Sequence, residues 1–432
     1  VAFNDIKHSA SPYLGIAVQV QDGNVDITNS MFTNIGRIGA HYRNGVIPGA
    51  AISGTYANNM YTGKGNGDWL DYAMDISGGV TLVVDNNTVS NNTGVATSDG
   101  STSAGFLATT YFPAGQNLAN DVTFTNNNIS ANTTGIAVGF DGTDNSVVVA
   151  NNNNIAGNTD YGIFSTAPLV DGTMNWWGDA TGPAGEGQGT GDSVSEFVDY
   201  CPWLDAEDPA GNPVSNIENL TQGTFHCSIQ DAVDNAEIAG GDIIQVGDIT
   251  VEENVVIDKG LTLQSANGKE FTTISGDGSS PTISIQADDV TVDGFTLTNP
   301  GGTNAVSSNN NSNIAIKNNL VTDVAGASIT GTPVHSIVIT ATANTIDNIS
   351  ITDNMVMDII AGEGGSVSAI TVGFSTNNYD VTNLVIDGNM INNIDASTLP
   401  WQSGPSGGKG AYGILLNLGA NAVGTGKIID AQ

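Results

Sequence analysis

Positive charge is almost missing from this chain. Nine Lys and Arg residues stand against 44 Asp and Glu, a formal net charge of −35. Neutralising phosphates takes a basic surface, so nucleic acid is excluded as a partner, and an anionic membrane surface is disfavoured for the same reason. An exterior this acidic suits a saline or calcium-containing medium, where screening weakens self-repulsion; plain solubility is the simpler alternative. Cysteine is as scarce, with Cys201 and Cys227 alone. Two are too few for a disulfide scaffold or a four-cysteine metal site. No apolar run reaches the ~18 residues of a spanning helix, so no membrane span is expected in this chain. No phosphate loop, nucleophile elbow or zinc-ligand spacing occurs. The chain opens at Val1 in what already reads as repeat sequence and stops after a strand phrase at 427–430 (KIID). We therefore expect a processed or excised piece of a longer protein.

Glycine, at 55 residues, and asparagine are plentiful, and both suit tight, left-handed corners. The asparagines sit in a phrase that returns along the chain. A short β-branched strand is followed by an asparagine run and a second apolar step. It occurs at 82–92 (LVVDNNTVSNN), 122–132 (VTFTNNNISAN) and 147–158 (VVVANNNNIAGN), then at 314–322 (IAIKNNLVT), 349–357 (ISITDNMVM) and 384–392 (LVIDGNMIN). A unit this short cannot bury its own apolar face and must stack on copies of itself. The strands alternate and are separated by turn residues rather than helices, which predicts an all-β solenoid.

Two consecutive segments are expected, at 1–204 and 216–432, the second continuing beyond the chain end. In the first, 37–72 reads as an aromatic excursion and 97–118 as an insertion between coils. Trp176, Trp177 and Trp203 are expected to cap the end of this segment, since a solenoid end exposes an apolar core that large aromatics cover; a sugar-stacking platform is the alternative. The acidic, Pro-containing stretch 205–215 reads as a linker. Cys201 and Cys227 flank it, so a single disulfide is expected, with two buried thiols as the alternative. In the second segment, Ile229, Ala232, Val233 and Ala236 fall at helical spacing, predicting one short helix over 228–236. Short strands follow. Asn319, Asn354 and Asn389 then recur 35 residues apart. They are expected to stack at equivalent corners, with Ile316, Ile351 and Ile386 pointing inward and loops at 331–344 and 362–377.

The run TQGTFHCSIQDAVDNAEIAGGDIIQV, followed by ENVVIDKGLTLQS and ADDVTVDGFTLTN, resembles the opening of pectin-lyase-like right-handed parallel β-helix domains. The NWWG…GP…GDSVS…VDY-x-PWL tail of the first segment is similar to the ending of β-helix segments in large bacterial surface and adhesin-like proteins. The resemblance implies a right-handed parallel β-helix, with a capping helix at the start of the second segment. It does not choose an activity, because that superfamily holds lyases, hydrolases, epimerases, tail spikes and adhesins.

For chemistry, stacked asparagine amides can bond along a ladder and satisfy turn backbone without any ligand. Polygalacturonase-type hydrolysis needs clustered aspartates, and members of that family carry a Gly-His-Gly and an Arg-x-Lys. None of His8, His41, His226 and His335 lies in such a motif. Asp288 and Asp289 are adjacent, but neighbouring strand residues face opposite ways. A lyase on this fold needs a Lys or Arg base with further cations, and basic residues are few. The densest candidate site is Arg37, His41, Tyr42, Arg43, Tyr56, Tyr61, Lys64, Trp69 and Tyr72, joined by Asp68 and Asp71. Aromatic faces beside a few polar groups suit glycan contact; a decorated loop packed on the helix flank is the alternative. Asp141 and Asp144 are calcium candidates in an acidic, Gly-containing loop, without an EF-hand or nonapeptide pattern. No other cofactor is expected. The leading expectation is an extracellular structural or adhesin-like module, with surface glycans or further copies of a cell-surface assembly as partners. The alternative is a carbohydrate-binding or polysaccharide-degrading protein that uses the 37–72 region.

Overall fold

The computed structural model describes residues 1–9, 14–45, 51–111, 118–324, 333–360, 366–373, 380–396, 410–416 and the backbone of 426–429. Two compact units, Val1–Ser215 and Asn216–Gln432, divide the chain. In the first, parallel sheets of six, eight and seven strands run side by side, and the chain visits them in rotation. Val80–Asp85, Thr88–Ser90 and Ala104–Thr109 make one coil. Asp121–Thr125, Asn128–Ser130 and Thr134–Val138 stack on it, with Val84 opposite Phe124 and Val89 opposite Ile129. Period-two alternation sets the two faces. Val80, Leu82 and Val84 are buried while Thr81 and Val83 face outward. Each inward Val, Leu, Ile or Phe removed from water contributes roughly 1.5–3 kcal/mol. The column is therefore held by summed small terms, and the fold is the parallel β-helix that the sequence predicts.

The corners explain the asparagine pairs. In each pair the first residue takes a left-handed conformation, with φ of 56° at Asn58, 52° at Asn86, 56° at Asn126 and 57° at Asn152. Asparagine tolerates that region better than most residues with a Cβ. The second residue turns inward and is buried. Asn87 donates its backbone N–H and its Nδ2 to Asn127 Oδ1, both at 2.9 Å. Asn127 repeats the arrangement on Asn153 at 3.0 and 2.9 Å, and its Nδ2 also reaches Val84 O at 2.9 Å. Asn59 precedes this ladder and Asn175 follows it. A second ladder, Asn92, Asn132 and Asn158, ends on the Asp192 carboxylate. Small residues finish the corners. A Cβ at Gly105 would lie 2.7 Å from Gly135 O and 3.2 Å from Val89 Cγ1.

The second unit repeats the plan with sheets of nine, six and six strands. Its opening differs. Ile217–Asn219 pairs antiparallel with both Thr224–His226 and Asp242–Val246 before the parallel stack begins. The helix Ile229–Asn235 follows the hairpin and buries Ile229, Ala232 and Val233. Ser228 caps its start, and Glu253 accepts from the N–H groups of Ile229 and Gln230 at 2.9 and 2.7 Å. Lys259 donates to Val233 O and Asp234 O at its end. Both helix termini are thus satisfied from the coil that follows. Asn319, Asn354 and Asn389 bond in series at 3.0–3.1 Å, while Ile316, Ile351 and Ile386 are fully buried.

Several expectations are corrected. The 37–72 stretch contains the strands Ile38–Arg43, Ile52–Ala57 and Met60–Thr62, a full coil rather than an excursion. The 97–118 insertion holds the strand Ala104–Thr109. The loops placed at 331–344 and 362–377 contain the strands Val334–Thr340 and Val367–Gly373, and their remaining parts lie partly outside the described residues. Part of the longer repeat therefore goes into seven-residue strands. The expected linker folds back instead. Pro213–Val214 pairs with Trp203–Leu204, Asp205 accepts from Asn212 N, and Asp208 N donates to Asn154 Oδ1 at 2.7 Å.

Two outcomes follow. Asn127→Ala leaves the buried Asn87 N–H without its acceptor and takes a donor from the Val84 carbonyl, and should cost about 3 kcal/mol. Asn126→Gly, at the left-handed position beside it, should stay within about 1 kcal/mol of wild type; chemical denaturation separates the two. Burial raises the Asp192 pKa above its ordinary 3.8, against the lowering by its Asn158 and Gly157 donors. The folded state then holds this proton to higher pH than the unfolded chain. The stability contributed is complete below the unfolded value and is lost as pH rises through the raised one. Asp192→Asn removes this titration, so wild type should lose ground to the variant as pH rises from the ordinary carboxyl value of 3.8 through the raised one.

Candidate functional site

The coil 37–72 turns most of the aromatic candidates inward. Tyr42, Tyr56 and Tyr61 are fully buried, and Phe32 lies 6.2 Å from the rings of both Tyr56 and Tyr61. Burial pushes all three phenol pKa values up. Tyr72 is 7% exposed and packs with Ile38 and Ala104 in a small satellite cluster. His41 is buried, and desolvation lowers its pKa although Asp75 stands 3.9 Å away. Arg37 is exposed and Arg43 half-buried. The structure therefore does not bring the nine candidates to one surface.

It does bring Lys64 and Trp69 together. They line a cleft of about 290 Å³ with Lys7, Thr33, Asn34, Thr62 and Gly63. The strands Met31–Thr33 and Met60–Thr62 pair in parallel and present Thr33 beside Thr62. The Lys64 ammonium lies 4.9 Å from the Trp69 ring centroid and donates to Gly36 O. Partial burial lowers its pKa, and Asp71 opposes the shift. Trp69 Nε1 donates to Gly65 O at 3.0 Å, and Gly67 and Gly94 crowd its ring edges. Beneath the cleft, Asp71 is fully buried; it accepts from Tyr61 OH at 2.5 Å and Lys64 N at 2.7 Å. Desolvation raises its pKa. Asp68 is exposed and accepts from Thr97 N at 2.8 Å. No carboxylate lines the cleft among the described residues, but Asp5 pairs with Lys7 and accepts from Asn34 Nδ2 at its edge, so what the cleft offers is a ring face to stack on beside the Lys64 ammonium. Lys7, Thr33 and Asn34 were missed because register, not sequence proximity, places them here. The shared phrase in FTNIG (32–36) and YTGKG (61–65) was the available signal.

The remaining candidates serve the scaffold. Trp177 is fully buried, Trp203 is 4% exposed, and both join the core of the first unit; Trp176 is half-buried. Asp144 accepts from Thr110 N, Phe140 N and Ser146 N, and Asp141 from Thr143 N and Oγ1, so both calcium candidates act as turn caps here. Asp288 and Asp289 accept separately, from Ser312 N and Asn313 Nδ2. No three His, Cys, Asp or Glu side chains converge on a metal position among the described residues. Cys201 and Cys227 are both disulfide-bonded. No helix among the described residues is long and apolar enough to cross a membrane.

No family model matches the chain. A stretch of 107 residues, 25% of the chain, is 32% identical to a cell surface glycoprotein of Methanothermus fervidus. The match spans 17% of that protein's length. Among solved structures, the PL6 family alginate lyase AlyGC matches at a TM-score of 0.24 and 9% identity, over 96% of each chain. A point mutant of the same lyase gives 0.24 and 11%, over 100% of this chain and 96% of that one. Superposition at that level carries no argument about activity.

If the tyrosines are core rather than contact residues, Tyr56→Ala should cost about 3–5 kcal/mol in denaturant unfolding. Arg37→Ala, at the exposed edge of the same coil, should stay within about 0.5 kcal/mol.

Proposed function

We propose that the chain is an extracellular structural, adhesin-like β-helix module of a cell-surface or filament protein. One observation carries this reading: the interior is filled, and rows of small polar residues run along the outward faces of two sheets of the first unit, interrupted by exposed Met31, Met60, Val83 and Val147. Asn4, Thr33, Thr62, Ser90 and Ser130 align across one sheet, and Ser53, Thr81 and Asp121 across another. Such rows give stiffness and solubility without a converging acid, base and cation. The local similarity to a cell surface glycoprotein supports the location. The acidic surface suits an exterior rich in salt. Partners on this reading are surface glycans or neighbouring copies of the assembly.

A second reading, glycan contact, is favoured by the ammonium–indole pair of Lys64 and Trp69, which offers a ring face and a cation in one cleft. Two measurements test the pair of readings. Protease treatment of intact cells should release peptides of this chain, and complete protection would remove the surface reading. Purified protein should give no unsaturated product from pectate or alginate. Reproducible product that is lost in Lys64→Ala would overturn the structural reading in favour of an enzyme.

A further inference from the structure

Seven Asn-x-Ser/Thr triplets occur, at Asn86, Asn91, Asn128, Asn132, Asn219, Asn310 and Asn348. In an asparagine-rich chain the triplet alone carries little, but the structure sorts the seven. Asn132 and Asn219 are fully buried, their Nδ2 groups bonded to Asn158 Oδ1 and Asp242 Oδ2, both at 2.9 Å. Asn310 is half-buried and accepts from the backbone of Thr342 and Ala343. Asn86, Asn91 and Asn348 are exposed, but each Nδ2 donates across to the preceding coil, at 2.7, 2.9 and 3.1 Å.

Asn128 differs from all of these. It is exposed at the start of Asn128–Ser130, and its side chain has no hydrogen-bond partner among the described residues. Ser130 lies two positions on, so amide and hydroxyl project from the same face of the strand. In the next coil the matching residues are Asn154 and Ala156. There the amide is tied to Asp208 O at 3.2 Å and the hydroxyl is missing. Thr88, the hydroxyl residue of the Asn86 triplet, lies beside Asn128 across the sheet. Exposed acceptor triplets of two adjacent coils therefore meet on one face.

We infer that Asn128 is an N-glycan acceptor and that this face of the first unit carries sugar. The inference rests on the extracellular reading above. The donor is an oligosaccharide carried on a polyprenyl phosphate. Asn128 Nδ2 attacks the anomeric carbon, an N–C bond forms, and the C–O bond to phosphate breaks. The lipid phosphate leaves with the bonding pair, and one amide proton passes to a base of the transferase. The hydroxyl two residues on is part of the acceptor signal. A glycan on Asn132 or Asn219 would have to occupy the interior, so the folded protein cannot carry one there, whether transfer comes before or after folding.

The test is peptide mass spectrometry on the protein purified from the organism that makes it. The peptide holding Asn128 should carry a glycan mass. That mass should vanish in Asn128→Gln and also in Ser130→Ala, with circular dichroism and thermal midpoint unchanged. Alanine already occupies the row of Ser130 at Ala156, so the second variant should fold. Unmodified Asn128 in the native protein overturns the inference, and so does a glycan on Asn132 or Asn219 in folded protein. Protease accessibility on intact cells, run in parallel, reports the surface reading separately. Accessible protein with a bare Asn128 sinks the glycan and leaves that reading standing.

Discussion

The ladder of buried asparagine side chains, along two corners of the first unit and one of the second, is the interaction on which the rest depends. A parallel solenoid must turn its backbone three times per coil, and every turn leaves amides that the sheets cannot pair. An unpaired buried amide costs about 1–3 kcal/mol, comparable to the burial of a whole apolar side chain. Asparagine answers this with both ends of its amide. At Asn127, Oδ1 takes the backbone N–H of Asn87 and Nδ2 gives to Val84 O, both in the coil before. Because the acceptor lies in the neighbouring coil, the bond also fixes register between coils. A slip of one residue would break each rung and turn the apolar set outward.

The acid excess has a related origin. Many aspartates stand two residues before Ser or Thr and accept from that residue's N–H. Asp99, Asp141, Asp179 and Asp277 do so with Ser101, Thr143, Thr181 and Ser279. These bonds hold the four carboxyl groups below the ordinary 3.8, so they stay charged well into mild acid. Part of the negative surface is therefore turn chemistry. The few lysines are correspondingly placed: Lys259 ends the helix, Lys317 pairs with Asp293, and Lys64 sits against Trp69.

The 37–72 coil shows where reading the sequence stopped. Its corner phrase, YANNMYT at 56–62, has the same asparagine pair as the later coils, yet the repeat was read only from residue 82 on. Tyr replaces the usual Val or Ile at the inward positions, and the pattern looked like an exposed aromatic loop. Only the stack decides that Tyr42, Tyr56 and Tyr61 point to the axis, since inward and outward differ by one residue of register. The same limit applies to the cleft. Thr33, Thr62 and Lys64 come together through strand pairing across coils, and nothing local in the chain announces it.

The sequence by itself determined the solenoid, its asparagine corners, the capping helix and the acidic exterior, because each is a short-range pattern in which a residue type meets a local backbone need. The tertiary structure decided which face every residue occupies. It folded 205–215 back as a hairpin, buried the tyrosines, closed the aspartates onto turns, and left Asn128 free while tying up Asn132. Those outcomes depend on what lies one coil above and below. In a stacked fold that neighbour is set by coil length, and the intervening loops vary coil length without changing the local pattern.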